Sequence, residues 1–368
     1  MKIAYIITTL GYGGAEKMCM DLCNEVATYP DCEVYLISLF DHTSAQRSLS
    51  ELNRKITFIT AGKKPGIDIS TFSRLDKILS DIKPDVVHTM LTGLFYGAKY
   101  IWKNRNNPNI RFIHTVHNVA KEDVHYALNY VQGLLLRKVN IVTVALTQEI
   151  KDTIREYYKI SDAHVIFNGV PAPVLSEKLK EAGDEIGQYK KDEHTRVFIN
   201  LGRIHPQKNQ QMLVQVFKRL EEKNVVALIL GDCTEQNKPL LEKLTAAAGK
   251  NVHILGRRSN PLDYIYHSDV FAMTSVFEGL PIALLEALSL GKVSICTRVG
   301  GIPSVVENGV NGILTDVDEE AYYQAVLEYL QMKDDTIKEI QRKAKETFEQ
   351  KFTMASCARA YMQLYTKQ

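Results

Sequence analysis

Residues 2–16 read KIAYIITTLGYGGAE. An apolar, β-branched run leads into a glycine cluster, and Ala15 then opens a segment with helical spacing. Strand, glycine turn and helix in that order begin a βαβ unit, and βαβ units build parallel sheets covered by helices. Glycines at such a turn permit positive φ and let backbone N–H groups approach a ligand. The helix that follows aims its positive end at the same spot. Taken alone, the loop fits a tight strand-to-helix turn as well as a ligand site. The apolar run is too short for a signal peptide and lacks a cleavage site. The glycines do not spell G-x-G-x-x-G, and no acidic residue ends a second strand about 20 residues on, so nicotinamide recognition is not indicated. The G-K-[ST] ending of a phosphate loop is also missing.

Working outward, the same rhythm continues. Strand-like segments fall at residues 2–8, 33–39, 85–90, 111–116 and 141–145, with helix-like segments at 15–27, 72–82, 124–137 and 148–158. From residue 171 to 195 the chain turns polar and charged, with Pro171 and Pro173 at its start, and reads as a linker. The rhythm then restarts, with strands expected at 197–201, 225–230, 252–255, 270–273 and 293–296, and helices at 210–222, 239–248, 281–290 and 319–332. A helical tail covers 336–365, with a break near Phe352 and Thr353. The 368 residues suit two domains. The expected organisation is α/β: a Rossmann-like domain over 1–170, a linker over 171–195, a second Rossmann-like domain over 196–350, and a C-terminal helix over 351–368 that packs back on the first domain. Two such domains should face a central cleft, with ligands outside the strand carboxyl ends.

The net charge of +2 argues against a nucleic-acid partner. No apolar run approaches the roughly 18 residues of a membrane span. Six cysteines without a C-x-x-C fit buried thiols in a reducing cytoplasm.

Chemistry concentrates at the strand ends of the second half. Residues 277–291 read FEGLPIALLEALSLG. Pro281 suits a first helical turn, Gly291 ends the helix, Glu278 precedes it and Glu286 lies inside it. Free N–H groups at a helix start attract an anion. Two carboxylates beside them make sense when the ligand also offers hydroxyls, as a nucleotide sugar does. Glutamates at this spacing also arise by chance on solvated faces. In Asn200–Asn209, NLGRIHPQKN, Arg203 and Lys208 flank a short loop after a strand. Two cations there suit a pyrophosphate, and a pair of surface cations is the competing reading. His114 and His117 close a strand of the first half. His114 reads as a core histidine; His117 at the edge suits a sugar hydroxyl or proton transfer, though a lone histidine is more often structural. Arg257, after Gly256, stands where a cation meets a nucleobase. Asn168–Gly169 and Gly300–Gly301–Ile302–Pro303 read as turns.

Together the GGAE loop, the Gly-Arg…Lys-Asn loop, the E-x7-E helix and the G-G-I-P turn resemble family 4 retaining glycosyltransferases, over nearly the whole chain. The resemblance implies the GT-B fold and transfer of a sugar from a nucleotide diphosphate, most often UDP, to an acceptor hydroxyl with retained anomeric configuration. It implies that Arg203 and Lys208 hold the diphosphate, Glu278 binds donor-sugar hydroxyls, and Gly279 and Leu280 offer N–H groups. Glu286 would bind the ribose diol, Gly13 and Gly14 would lie near phosphate, His117 near the transferred sugar and Arg257 near the base. Ser304 stands where the family often has Glu. Leaving-group stabilisation should dominate, with His117, Arg203, Lys208 and Glu278 the catalytic set and front-face attack the implied route. No metal or cofactor is demanded; Asp316–Val317–Asp318 reads as a helix cap. The acceptor is a sugar or lipid-linked glycan. The segments Tyr100–Arg105 and Leu134–Lys138 combine apolar and basic groups, which suits peripheral membrane contact, with a core helix and basic end as the alternative. A nucleotide-sugar 2-epimerase or hydrolase, or a silent sugar-nucleotide sensor, are the competing functions.

Overall fold

Strand β1 (Lys2–Ile7) is buried along nearly its whole length, as a central strand covered on both faces must be. It pairs in parallel with β2 (Glu33–Ser38) on one side and β4 (Val86–Met90) on the other. The computed structural model describes residues 1–43 and 46–366, which form two units: Met1–Pro171 with Phe352 onward, and Ala172–Lys351.

The first unit runs β1, α1 (Gly14–Val26), β2, β3 (Thr57–Thr60), α2 (Ser70–Ile82), β4, α3 (Gly93–Lys103), β5 (Arg111–Val116), α4 (Tyr126–Lys138), β6 (Ile141–Ala145), α5 (Gln148–Tyr158) and β7 (His164–Val165). Its parallel sheet has the order β3-β2-β1-β4-β5-β6-β7. The second unit runs α6 (Leu179–Gly187), β8 (Arg196–Leu201), α7 (Gln210–Arg219), β9 (Val225–Leu230), α8 (Lys238–Ala247), β10 (Val252–Gly256), α9 (Pro261–His267), β11 (Val270–Met273), α10 (Ile282–Ser289), β12 (Val293–Thr297), β13 (Ile313–Thr315), α11 (Glu319–Gln331) and α12 (Asp334–Lys351). Its order, β10-β9-β8-β11-β12-β13, repeats the first sheet's pattern. In each sheet the strand order reverses beside the first strand, at β1/β4 and at β8/β11, the switch point where open sheets take ligands.

The last helix, α13 (Met354–Thr366), belongs to the first unit. Tyr365 hydrogen bonds His88 at 2.8 Å and Tyr5 at 3.0 Å, and Tyr361 hydrogen bonds Thr115 at 2.9 Å. A buried polar cluster, with every member partnered, thus fixes the tail under the sheet.

Three local expectations change. The stretch 171–195 is not a bare linker: it belongs to the second unit, with Ala182 and Ile186 of α6 buried. Arg258 pairs with Glu185 at 2.5 Å, tying α6 to the end of β10. None of Gly11, Gly13 and Gly14 has positive φ. Gly13 is instead the extended N-cap of α1, and a Cβ there would stand 2.2 Å from a Glu16 carboxyl oxygen. That oxygen ends a flexible side chain, so the contact does not by itself demand glycine. Pro281 sits one position earlier than expected, as the extended N-cap of α10.

Candidate functional site

In the second unit, β8 and β11 deliver their trailing loops to the switch point. After β8, His205 caps a short turn by accepting the Gln207 N–H at 3.2 Å. Lys208 closes that turn, and Asn209 at φ +49° swings the chain into α7. After β11, Thr274 and Ser275 lead to Glu278 and α10. The loops are stitched together. Thr274 Oγ1 donates to the carbonyls of Lys208 and Asn209, each at 3.0 Å. Val276 N–H donates to the Gln207 carbonyl, and the Gln207 side chain to that of Phe277, each at 2.9 Å.

That stitching sets up one close charge contact. Lys208 Nζ lies 2.5 Å from Glu278 Oε1, and Ser275 Oγ donates to the same oxygen at 2.7 Å. Glu278 is only 5% exposed and Glu286, in the second turn of α10, 6%. Carboxylates so buried need partners, and Glu278 has two. From the other side the G-G-I-P turn presses on Glu278. A Cβ on Gly300, at φ +51°, would fall 1.7 Å from the Glu278 carbonyl oxygen. Gly301 N–H donates to the Gly279 carbonyl at 2.8 Å. Only glycine fits that approach and that φ. Leu280 is buried beneath the helix entrance.

The remaining expected residues of this unit share the sheet edge without joining the ion pair. Arg203 is exposed on the β8 loop, its carbonyl accepting from Gln210 at 2.9 Å. Arg257 is exposed at the end of β10, two strands from β8. Burial, with Arg203 and Lys208 nearby, pushes His205 below the usual imidazole range. Asp318 caps α11, accepting the Ala321 N–H at 2.9 Å. A cation, a buried carboxylate and a helix N-terminus at one switch point suit a ligand that carries both anionic and hydroxyl groups.

The first unit holds Gly13 and Gly14 at the start of α1, and His117 just past β5. His117 is half-buried, and its Nε2 is buried without a partner. Burial, then the neighbouring His114, pushes it down to about 3. His114 is fully buried, as expected of a core histidine, and burial lowers it to about 4. Both rings are neutral at pH 7.

Sequence reasoning missed Thr274, Ser275 and Gln207, which hold Lys208 and Glu278 in place. Hydroxyls directly after a strand at the switch point were the available signal.

Two family models match in tandem: Glycosyltransferase Family 4 over residues 12–172 and Glycosyl transferases group 1 over residues 182–347. An uncharacterized glycosyltransferase of Methanocaldococcus jannaschii is 32% identical over 60% of this chain, and the match spans 57% of that relative's length. The UDP-Gal:alpha-D-GlcNAc-diphosphoundecaprenol alpha-1,3-galactosyltransferase of Escherichia coli is 29% identical over 68% of this chain and 67% of its own. Anabaena Alr3699/HepE, solved in complex with UDP and glucose, shares the fold at a TM-score of 0.82, with 18% identity over 99% of both chains. With both halves accounted for, the chain belongs to glycosyltransferase family 4 and has the GT-B fold.

Proposed function

We propose that this protein transfers a hexosyl or N-acetylhexosaminyl group from a nucleotide-diphosphate sugar, UDP-linked, to an acceptor hydroxyl in cell-surface polysaccharide or glycolipid synthesis, with retention of anomeric configuration and without a metal. The observation that carries this reading is the partly buried Lys208–Glu278 ion pair at the entrance of α10. Lys208 and Arg203 receive the charge that develops on the departing diphosphate, α10 adds its N-terminal N–H groups, and Gly279 and Leu280, in the loop just before the Pro281 cap, add theirs. Glu278, held by Ser275, accepts from donor-sugar hydroxyls. Glu286 takes the ribose diol and Arg257 the base. His117, neutral at working pH, has an acceptor or donor nitrogen to offer a sugar hydroxyl, as do the N–H groups around Gly13 and Gly14. The donor's phosphate oxygen takes the acceptor proton.

The galactosyltransferase relative uses UDP-Gal and a diphosphoundecaprenol-linked acceptor by name, which supports a UDP donor and a lipid-linked acceptor here. A cytoplasmic enzyme at the inner membrane face follows. No helix among the described residues is long and apolar enough to cross a membrane, so contact would be peripheral. Phe72, Ala98, Lys99, Trp102, Lys103 and Leu135 line one surface cavity of about 620 Å³, where Trp102 and Lys103 of one apolar-basic segment meet Leu135 of the other, while Tyr100, Ile101 and Leu136 are buried in the core. Flotation with anionic liposomes at low salt should carry the protein; absence of binding there removes the membrane face.

The test of the transferase reading is release of UDP from labelled UDP-glucose, UDP-galactose, UDP-GlcNAc and UDP-GalNAc, alone and with lipid-diphosphate glycan acceptors. At least one donor should be consumed by the wild type, and Lys208→Ala should abolish most of that turnover. Equal rates in the two proteins would sink the assignment.

A further inference from the structure

The loop after β5 is held by buried side chains that the reaction as described leaves unused. The Asp123 side chain is fully buried. Its Oδ1 accepts the main-chain N–H of His117 at 2.7 Å. Its other oxygen stands 4.0 Å from His114 Nε2, and both atoms are buried without a hydrogen-bond partner. His114 Nδ1 lies 3.0 Å from the Thr89 carbonyl, which can only accept, so Nδ1 carries the proton and Nε2 is a free lone pair. From beneath, the Asn129 side-chain amide donates to the carbonyls of Ala120, Lys121 and Val124 at 3.0–3.2 Å. Tyr158 donates in turn to Asn129, and Thr153 accepts the Ala120 N–H at 3.1 Å.

A surface loop seldom engages this many fully buried polar groups, because each costs desolvation unless it is satisfied. The N–H group that Asp123 takes belongs to His117 itself, the residue whose backbone position decides where the imidazole points. We propose that Asp123 is a positioning residue of the transfer reaction, its buried carboxyl clamping the His117 backbone so that the imidazole is preset for the donor sugar. The inference rests on the transferase reading, and through it on the role given to His117. Asn129 and Tyr158 complete the brace by fixing the rest of the loop. Asparagine at position 123 keeps the essential acceptor: its side-chain oxygen takes the His117 N–H, and its amide hydrogens face the His114 lone pair. Alanine removes both.

The experiment compares the full-length wild type with Asp123→Ala and Asp123→Asn, reading steady-state UDP release from whichever of the four UDP-sugars the wild type consumes. A mispositioned group away from the bond-breaking atoms costs on the order of 10–100-fold in rate. Asp123→Ala should lose that much kcat with the donor KM changed by no more than about threefold, because the binding residues of the second unit are untouched. Asp123→Asn should recover most of the loss. Wild-type kcat in Asp123→Ala overturns the proposal. So does an equal loss in both variants, which would make the carboxylate's charge or the bulk packing the cause. A wild type that consumes none of the donors fails the transferase reading rather than the clamp. Amide hydrogen exchange at His117 then decides the clamp: exchange at least about tenfold faster in Asp123→Ala, at unchanged global stability, supports it. Equal exchange overturns it.

Discussion

The two sheets share a strand order, yet the residues at their carboxyl ends solve opposite electrostatic problems. At β8 and β11 the second unit presents charge: Lys208 and Glu278 stand 2.5 Å apart with Arg203 exposed alongside. Past β5 the first unit suppresses charge. His114 and His117 are pushed down to about 4 and about 3, chiefly by burial, and burial raises Asp123 to about 7. The same topology supplies both because the switch point fixes only where loops emerge, and side chains then decide what they present. A charged strand end suits an anionic group, and a neutral one suits hydroxyls.

Removing charge from the charged half should therefore have the largest consequence. Lys208→Ala or Glu278→Ala should lower UDP release by about 10²–10³-fold, the range for losing one preorganised electrostatic contact, while Arg257→Ala should act mainly on donor KM. A smaller effect is expected from the turn that presses on Glu278. Gly300→Ala adds a Cβ 1.7 Å from the Glu278 carbonyl oxygen at a φ of +51°, so it should cost on the order of 2–4 kcal/mol of stability. Urea titration measures this, and a change below about 1 kcal/mol would show that the turn shifts freely. Ser275→Ala is gentler. It removes one of the two hydrogen bonds to Glu278 and should lower kcat/KM about tenfold, near the worth of a hydrogen bond to a charged group. No change there would mean that Lys208 alone orients the carboxylate.

The contrast also explains what could be read from the sequence. The alternation of β-branched runs and amphipathic segments located the strands of both sheet centres, because a parallel strand buried on both faces has to be apolar throughout. It passed over β3, β7 and β13, which are short or lie at sheet edges, where one flank is solvated and the apolar signal thins. Helix α3, with Gly93 and Gly97, carried weak helical propensity. Its first glycine is there because a Cβ would sit 2.5 Å from the Ile6 carbonyl oxygen, a packing demand invisible to periodicity. Glu278, Arg203 and Lys208 stood out as candidates because charged residues at strand ends break the pattern, and Glu286 because it interrupts the apolar run of α10. Asp123, Thr274 and Ser275 were not, because small polar residues in loops are ordinary. Their significance lies in which backbone groups they meet, and Asp123 meets His117 through the fold of its own loop, which periodicity does not predict.

The least drastic way to sharpen the comparison is to change pH. In the first unit His88, His114 and His117 all titrate below the ordinary imidazole range, principally through burial. The unfolded chain takes up protons as pH falls through about 6.5, whereas the folded unit resists until about 4 and below, so stability is lost over that interval. Asp123 opposes this. Its folded carboxyl holds a proton up to about 7, a contribution that grows as pH falls from 7 toward its unfolded value near 3.8. Three groups against one leave a net loss on acidification. In the second unit His205 and His253 shift the same way but are only partly buried, so water screens them and the loss should be smaller. The buried thiols report on each unit separately: Cys19 and Cys23 belong to the first and Cys296 to the second. Labelling them with a pyridyl disulfide along a urea gradient should show the Cys23 midpoint falling by on the order of 1 M between pH 7 and pH 5. The Cys296 midpoint should fall by less. Equal shifts would mean that the neutral histidines are not what distinguishes the first unit, and that charge suppression there is a by-product of burial shared by both sheets.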